Sequence, residues 1–218
     1  MSELIDISME MSDRLAVFPG DTPLSREVLL DTARGDHLTL STLRTTVHAA
    51  THLDAPTHYG GDVSIERVPL SRTCGECLVV AVAGEIARGR IAMANLEDSL
   101  TALGFDQGSP LPGRILIATG SFPDPTRWDD SFLGLEPSLV DALADRGVGL
   151  VGVDTPSVDT ADSKDLPAHA RCLARDLLIL EGLRLGGVEP GRYELLCLPL
   201  KLAGFDASPV RAALRRLD

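Results

Sequence analysis

The feature that most constrains this chain is a run of ionisable side chains around one proline. His48, His52, Asp54 and His58 follow one another at intervals of four, two and four residues, and Pro56 stands between the last two. A proline interrupts a helix and disfavours helical backbone in the residue before it. In an extended chain, residues of one parity face the same side, so this spacing predicts that the four side chains converge. Two imidazoles and a carboxylate at one point suit a borderline divalent metal such as zinc.

Two further residues extend this candidate metal site. Glu181 is the one carboxylate in the apolar run 177–183, and an unpaired buried carboxylate is very costly. It must therefore pair with an arginine such as Arg171 or Arg175, be protonated, or bind metal. His169 begins the preceding helical stretch, and a helix followed by a returning strand could bring it to Glu181. Five ligands that include carboxylates able to bridge make two metal ions possible.

His58 has more than one interpretation. Pro56 is expected to bend the chain before it, and a histidine beside a metal site can shuttle protons because its pKa lies near neutrality. His58 could instead be a further ligand, or it could orient another ligand. A polar strand edge can also gather such residues by chance, without binding metal. His37, which stands in an acidic and polar stretch, is interpreted as structural.

The composition argues against several classes of function. The formal net charge is −12 and the sequence pI is about 4.8. Such a surface repels phosphate backbones and anionic lipids, so neither a nucleic acid nor a membrane is an expected partner. No apolar run approaches the ~20 residues that span a bilayer. The first six residues include acidic ones where a signal peptide would carry basic ones, and we expect a cytoplasmic protein.

The four cysteines favour a structural interpretation. Cys74 and Cys77 form a C-x-x-C pattern, which could be a redox pair or half of a zinc site. No second C-x-x-C completes such a site, and Cys77 opens the apolar run 77–82. A free cysteine is often simply a small buried side chain, and we expect that role here.

The order of apolar runs and helical patterns predicts a mixed α/β fold. The predicted strands are 4–7, 40–47, 77–82, 114–119, 149–153, 177–180 and 193–200. The predicted helices are 93–103, 136–146, 167–175 and 209–217, the last with Ser208 as its N-cap. Because strands outnumber helices, a mixed sheet is favoured over a regular doubly wound one. Without an internal repeat or linker, residues 1–218 are expected to form a single domain.

Two segments beyond the strands could contribute to a site. The predicted strand 149–153 is followed by Asp154, Thr155 and Pro156, and polar residues at the end of a buried strand often face a site. The polar loop 157–165 could lie over such a site.

The segment from His48 to His58 resembles the H-x-G-T-H-x-D-A-P-x-H signature of the metal-dependent cyclase family. This family includes the bacterial kynurenine formamidases and the isatin hydrolases, and the wider likeness is to the former. It runs nearly from end to end of the chain, through the segments 18–23 (FPGDTP), 152–157 (GVDTPS), 163–164 (SK), 179–183 (ILEGL) and 206–211 (DASPVR).

The resemblance implies a pair of zinc ions with a shared set of ligands. These ligands are His48, His52, Asp54, His169 and Glu181. Asp54 would bridge the two ions, His58 would donate and accept protons, and Phe18 would line the substrate pocket. The ligand set would also accept manganese or cobalt. The fold implied is the family's swivelling β/β/α type, usually assembled as a homodimer.

The activity implied is hydrolysis of N-formyl-L-kynurenine to L-kynurenine and formate by a zinc-activated hydroxide, in tryptophan degradation through the kynurenine pathway. An alternative is a related metal-dependent enzyme that acts on another formamide or on a cyclic amide, as isatin hydrolases do. A second alternative is a metal-binding protein without catalysis, for which His58 would be dispensable. Two departures bear on the substrate: Ala50 replaces a glycine of the signature, and Phe18 replaces a tryptophan.

Overall fold

The chain is organised around one long mixed sheet. The computed structural model describes residues 3–217. The strands of this part of the chain are β1 (Leu4–Asp6), β2 (Ser25–Leu30), β3 (Leu40–Arg44), β4 (His52–Asp54), β5 (Gly75–Ala81), β6 (Arg90–Ile91), β7 (Arg114–Ala118), β8 (Gly134–Leu135), β9 (Leu150–Val153), β10 (Leu178–Glu181), β11 (Gly191–Cys197), β12 (Ala207–Pro209) and β13 (Ala212–Arg216).

The main sheet has nine strands in the order β1-β13-β11-β5-β7-β9-β10-β4-β12. Its centre, from β5 to β10, is parallel, and the strands on both sides of this centre pair antiparallel. The remaining strands form two small separate sheets, β2 with β3 and β6 with β8. The sheet is therefore mixed, as the sequence predicts.

Side chains on the two faces of the central strands enter different apolar clusters. Along β5, Leu78 and Val80 enter one cluster, and Cys77 and Val79 enter the other. Strands buried on both faces read as continuous apolar runs, which is why these strands are recognisable in the sequence.

The helices of the described residues are α1 (Leu70–Thr73), α2 (Glu97–Ala102), α3 (Pro137–Asp145) and α4 (Pro167–Ala174). Single turns of 3-10 helix occur at Thr32–Arg34, Pro56–Tyr59, Ile65–Arg67, Ala87–Gly89 and Met93–Asn95. Buried side chains of α2, α3 and α4 belong to the first of the two apolar clusters. These three helices therefore cover the same face of the sheet.

The predicted helix over 209–217 is wrong. Its residues form the end of β12 and all of β13, and Ser208 is a strand residue rather than an N-cap. The alanines, leucine and arginines of this segment favour a helix. In the structure Ala212 and Leu214 are fully buried, while Arg211 and Arg215 are exposed, which is the alternation of a strand. Pairing with β1 and β11 therefore overrides the local preference.

The other predicted elements exist with bounds shifted by a few residues. The predicted helix 93–103 is divided into a 3-10 turn and α2, and the predicted strand 40–47 ends at Arg44. The predicted strands do not include the short strands β6, β8 and β12, or β2, whose residues Ser25–Leu30 mix charged and apolar side chains without a buried face. No helix within residues 3–217 combines the length and the apolar character that a membrane crossing requires.

Candidate metal centre

The pairing of β4 with β10 positions the first residues of the candidate site. His52 lies opposite Glu181 and Asp54 lies opposite Ile179 in this antiparallel pair. Because alternate residues of a strand share a face, His52 and Asp54 project to one side, and Leu53 enters the apolar cluster on the other. His52, Asp54 and Glu181 are all buried.

A turn, and not extended chain, brings His48 to the same point. Within residues 48–54 the strand covers only His52–Asp54, so the expectation that extended chain aligns His48 with His52 and Asp54 is wrong. The chain reverses through Ala50, whose φ of 57° lies in the left-handed region. A Cβ on Gly182 would lie 2.1 Å from the Ala50 oxygen, so this close approach requires glycine at 182. The Thr51 hydroxyl donates a hydrogen bond of 2.5 Å to the Gly182 carbonyl, which also holds the turn.

His169 reaches the site from α4. It is buried, and its Nε2 lies 3.8 Å from Asp54 Oδ2 and 3.7 Å from Glu181 Oε1. The helix begins at Pro167, directly after Leu166, which has a left-handed φ of 43°. The structure thus brings together the five residues predicted as ligands.

The outer nitrogen of each of the three imidazoles is held by an acceptor. His48 Nε2 donates to Asp206 Oδ2 at 3.0 Å, and His169 Nδ1 donates to Asp159 Oδ2 at 2.9 Å. His52 Nδ1 donates to the Ala50 carbonyl at 3.0 Å. Because a carboxylate or carbonyl oxygen can only accept, these contacts place a proton on each outer nitrogen. The other nitrogen of each ring faces the carboxylates of Asp54 and Glu181.

Three inner atoms of the cluster are buried without hydrogen-bond partners among residues 3–217. These are His52 Nε2 and both carboxylate oxygens of Asp54. His48 Nδ1 is 3.1 Å from Asp54 Oδ1, but the two atoms are not aligned as a hydrogen bond. His52 Nε2 is 3.4 Å from Asp54 Oδ1 and 3.3 Å from Glu181 Oε2.

These separations fit ligands around a common ion. Zinc–ligand bonds of 2.0–2.2 Å in tetrahedral geometry place neighbouring ligand atoms roughly 3.3 Å apart. Buried polar atoms in proteins almost always have partners, and a cation bound among these atoms would supply one. The ligand atoms of His48, His52 and Asp54 all lie within 4.8 Å of one another. The residues present therefore fit a metal ion.

Glu181 does not pair with an arginine. Arg171 forms an ion pair with Asp141, and Arg175 pairs with both Asp141 and Asp145. The Glu181 carboxylate instead accepts a hydrogen bond of 2.8 Å from the Val158 amide and faces the inner nitrogens of His52 and His169. The salt-bridge alternative for Glu181 is thus wrong.

His58 stands at the edge of the cluster. It lies in the 3-10 turn Pro56–Tyr59, so the proline begins a short helical turn rather than a simple bend. Its ring centroid is 4.1 Å from that of His48 and 5.7 Å from that of His169. Its Nδ1 is 3.6 Å from Asp206 Oδ2, which is beyond hydrogen-bond distance. His58 is therefore beside the candidate ligands, and its side chain is about one third exposed.

Opposing effects of burial and charge set the pKa values of the cluster. Burial alone would lower the pKa of His48, but the adjacent Asp54 carboxylate raises it to about 9. Burial also opposes the charge on His169, yet Asp159 and Asp54 raise its pKa to about 10. Burial would raise the pKa of Asp54, whereas His169 and His48 hold it well below its usual range. Among the histidines of the cluster, only His58 has a lowered pKa, because burial there outweighs the attraction of Asp54.

Four of the five candidate ligands, all except Asp54, line a cavity of about 350 Å³. The aromatic residues that line it are Phe18, Phe122 and Trp128. The rings of Phe18 and Trp128 meet edge to face with centroids 4.9 Å apart. The Ala50 side chain also lines this cavity, as do the oppositely charged Asp21 and Lys164. Phe18, which the resemblance places in a substrate pocket, lines this cavity.

The expectation for Asp154 and Thr155 is wrong. The Asp154 carboxylate accepts hydrogen bonds from the Thr119 amide and hydroxyl and from the Gly120 amide. It therefore fixes the turn after β7, and of the segment that follows β9 only Pro156 and Ser157 line the cavity. In the polar loop beyond, Ser163 and Lys164 do so as well.

Sequence reasoning missed two carboxylates that contact the imidazoles, Asp159 and Asp206. Neither carboxylate is separated from its histidine partner by an interval that the periodicity of a helix or a strand would bring together. No spacing rule therefore identifies Asp159 or Asp206. All four cysteines are free, and Cys77 is fully buried, as a structural role requires.

Metal-free protein is expected to lose stability as the pH rises from 7 to 10. The pKa values of His48 and His169 in the folded state lie above the ordinary value of 6.5, so folding binds protons between those values. Their contribution is complete below about pH 6.5 and is lost as the pH passes through about 9 to 10. The urea midpoint should therefore fall over this range in metal-free protein and much less in zinc-saturated protein, where the ion replaces the protons. An unchanged midpoint without metal would contradict these protonation states.

Comparison with known proteins places this fold among solved relatives. The protein is similar to a structure described as a potential metal-dependent hydrolase with cyclase activity, with 25% identity, a TM-score of 0.78 and complete coverage of both chains. A predicted metal-dependent hydrolase from Bacillus stearothermophilus is 24% identical, with a TM-score of 0.77 and 98% coverage of both chains. Isatin hydrolase A from Labrenzia aggregata is 17% identical, with a TM-score of 0.80 over 99% of this chain and 94% of the other.

The Cyclase family model, described as "Putative cyclase", matches residues 5–160. The matched range includes His48, His52, Asp54 and His58 and ends before His169. Since it covers well over half of the 218 residues, this chain belongs to the Cyclase family.

Proposed function

We propose that this protein is a metal-dependent amide hydrolase that converts N-formyl-L-kynurenine to L-kynurenine and formate. The observation that carries the proposal is a cluster of three imidazoles and two carboxylates beside an aromatic-lined cavity, in which His52 Nε2 and both Asp54 carboxylate oxygens are buried without hydrogen-bond partners among residues 3–217. The similar structure described as a potential metal-dependent hydrolase supports the same class of chemistry.

Two zinc ions are proposed, with Asp54 among the residues that would hold both. His48 Nδ1 and His52 Nε2 would hold one ion with Asp54 Oδ1, and His169 Nε2 would hold the other with Asp54 Oδ2. The two Glu181 oxygens face His52 and His169 and would contact both ions. Bound metal ions would supply a nucleophile from water at neutral pH and polarise the scissile carbonyl group.

His58 is the proposed acid and base. Its pKa is lowered by burial, so the ring is neutral at pH 7 and can accept a proton from the attacking water. The formyl carbon gains the water oxygen, and the bond from this carbon to the anilide nitrogen breaks. His58 then delivers the proton to the departing nitrogen, which leaves poorly without it. The products are formate and the free aromatic amine.

The cavity suits an aromatic substrate with a zwitterionic tail. Phe18 is smaller than the tryptophan of the resembling family, but Trp128 packs against its edge and adds aromatic surface. The Trp128 indole nitrogen donates to Asp130, so this ring offers the cavity an apolar surface. Asp21 and Lys164 provide one charge of each sign for an ammonium and a carboxylate group.

Release of L-kynurenine by zinc-loaded and chelator-stripped protein tests the proposal. The zinc-loaded protein should form L-kynurenine, measured by its absorbance, and stripping the metal should slow this by roughly a thousandfold or more, since metal stabilisation of the transition state is worth several kcal/mol. Isatin serves as the comparison substrate. If protein that holds zinc hydrolyses isatin but not N-formyl-L-kynurenine, the proposed substrate is wrong and a cyclic amide takes its place. Failure on every amide would favour a metal-binding protein without catalysis.

His58→Ala should leave the zinc content unchanged and reduce kcat about 10²- to 10⁴-fold, the usual contribution of a general acid and base. His37→Ala is the matched control, since His37 is exposed and does not line the cavity. Zinc content and steady-state kinetics would be measured for both variants. Loss of zinc from His58→Ala would instead make His58 a ligand.

A homodimer is proposed as the assembly. The strands β2 and β3 pair only with each other and expose Leu29, Leu40 and Leu43. A lone two-stranded hairpin is marginally stable in water, so a second copy that covers these side chains would stabilise it. Sedimentation at micromolar concentration should give twice the chain mass of 23.2 kDa, and Leu43→Glu should shift the protein toward the monomer. A 23.2 kDa species of the unaltered protein would contradict the dimer.

A further inference from the structure

Two carboxylates outside the five proposed ligands, Asp159 and Asp206, contact two different imidazoles of the candidate metal centre, although Asp206 also groups with His48 and His58 closely enough to hold an ion. Asp159 is fully buried, and its Oδ2 accepts hydrogen bonds from His169 Nδ1 at 2.9 Å and from the His169 amide at 3.1 Å. Asp206 has a half-exposed side chain, and its Oδ2 accepts from His48 Nε2 at 3.0 Å. His169 and His48 are the candidate ligands of different ions.

We propose that Asp159 and Asp206 are positioning residues, one for each metal ion, which fix the ring orientation and tautomer of His169 and His48. A carboxylate that accepts the outer N–H of a ligating histidine directs the other nitrogen to the metal and makes it a stronger ligand. This inference rests on the proposed pair of metal ions.

Both carboxylate oxygens of Asp159 accept hydrogen bonds. Its Oδ1 accepts from the Ala168 amide and from Arg90 Nη1, both at 3.1 Å. Arg90 comes from β6, and the amides of Ala168 and His169 belong to the first turn of α4. Asp159 thus ties the start of the helix, the imidazole and the small β6–β8 sheet together. His169 has little freedom to rotate.

The two positions should respond differently to asparagine. At position 159 each carboxylate oxygen accepts two N–H groups, so either orientation of an amide would point its NH2 group at two donors. An asparagine at position 206 can turn its NH2 group toward solvent, while its amide oxygen still accepts the hydrogen bond from His48. Asparagine should therefore substitute for Asp206 but not for Asp159.

Zinc affinity of the whole protein, measured by competition with a chromophoric chelator, tests this inference without reference to any substrate. Asp159→Asn should weaken one zinc position about 10- to 100-fold, and Asp206→Ala should weaken the other by about tenfold or more. Asp206→Asn should stay within about threefold of the unaltered protein, because it retains the acceptor. Arg175→Gln is the control: it removes ion pairs at the other end of α4 and should leave both affinities unchanged.

A double-substitution cycle separates positioning from a general loss of structure. In a His169→Ala background, adding Asp159→Asn should cause no further loss of zinc affinity, because Asp159 acts through that imidazole. Adding Asp206→Ala to a His48→Ala background should likewise have no effect. Thermal unfolding would be recorded for every variant. A further loss of zinc affinity in either background would overturn the inference. Unchanged zinc affinity in Asp159→Asn would also overturn it. So would equal losses of zinc affinity in Asp206→Asn and Asp206→Ala.

The outcome also distinguishes this inference from the proposed function. If the unaltered protein binds no zinc, the metal centre itself is contradicted. If the unaltered protein binds two zinc ions, and substitution of Asp159 and Asp206 leaves both zinc affinities unchanged, the metal centre is supported. Only the positioning roles of the two carboxylates are then contradicted.

Discussion

The central constraint on this structure is the burial of two carboxylates, Asp54 and Glu181, inside the protein. Charged groups in an apolar interior are very costly unless opposite charge and hydrogen bonds compensate them. Three imidazoles surround these carboxylates, yet both Asp54 oxygens lack hydrogen-bond partners among the residues described. Protonated imidazoles stabilise the metal-free site, and metal ions would take over that role when bound.

The mixed sheet makes this arrangement possible. The parallel strand β10 ends at Glu181, and the antiparallel strand β4 lies beside it, so side chains from distant parts of the chain share one face. On that face α4 supplies His169, while the close contact of Ala50 with Gly182 brings in the turn that carries His48. The site therefore depends on one strand pair, one helix and one turn.

The sequence predicts some parts of this arrangement better than others. The central strands are recognisable because they are buried on both faces and form continuous apolar runs. The convergence of His48, His52 and Asp54 is predicted correctly, but for a partly wrong reason, since a turn rather than extended chain places His48.

Elements whose structure depends on distant partners are not predictable in this way. The segment Ala212–Arg216 has good helix formers, and only its pairing with β1 and β11 makes it a strand. Asp159 and Asp206 are ordinary surface-type residues in the sequence, and only the folded chain brings them to the imidazoles. The grouping of His169 and Glu181 with the first three ligands comes from the lone carboxylate in an apolar run and from the order of helix and strand, and the resemblance to the cyclase family implies the same set.

The most direct test of the metal centre is anomalous diffraction at the zinc absorption edge from crystals of the zinc-loaded protein. Two anomalous peaks are predicted at the Asp54 carboxylate, the first contacting His48 and His52 and the second contacting His169. A map without a peak at Asp54, or with zinc held only by His58 and Asp206 at the surface, would contradict the account.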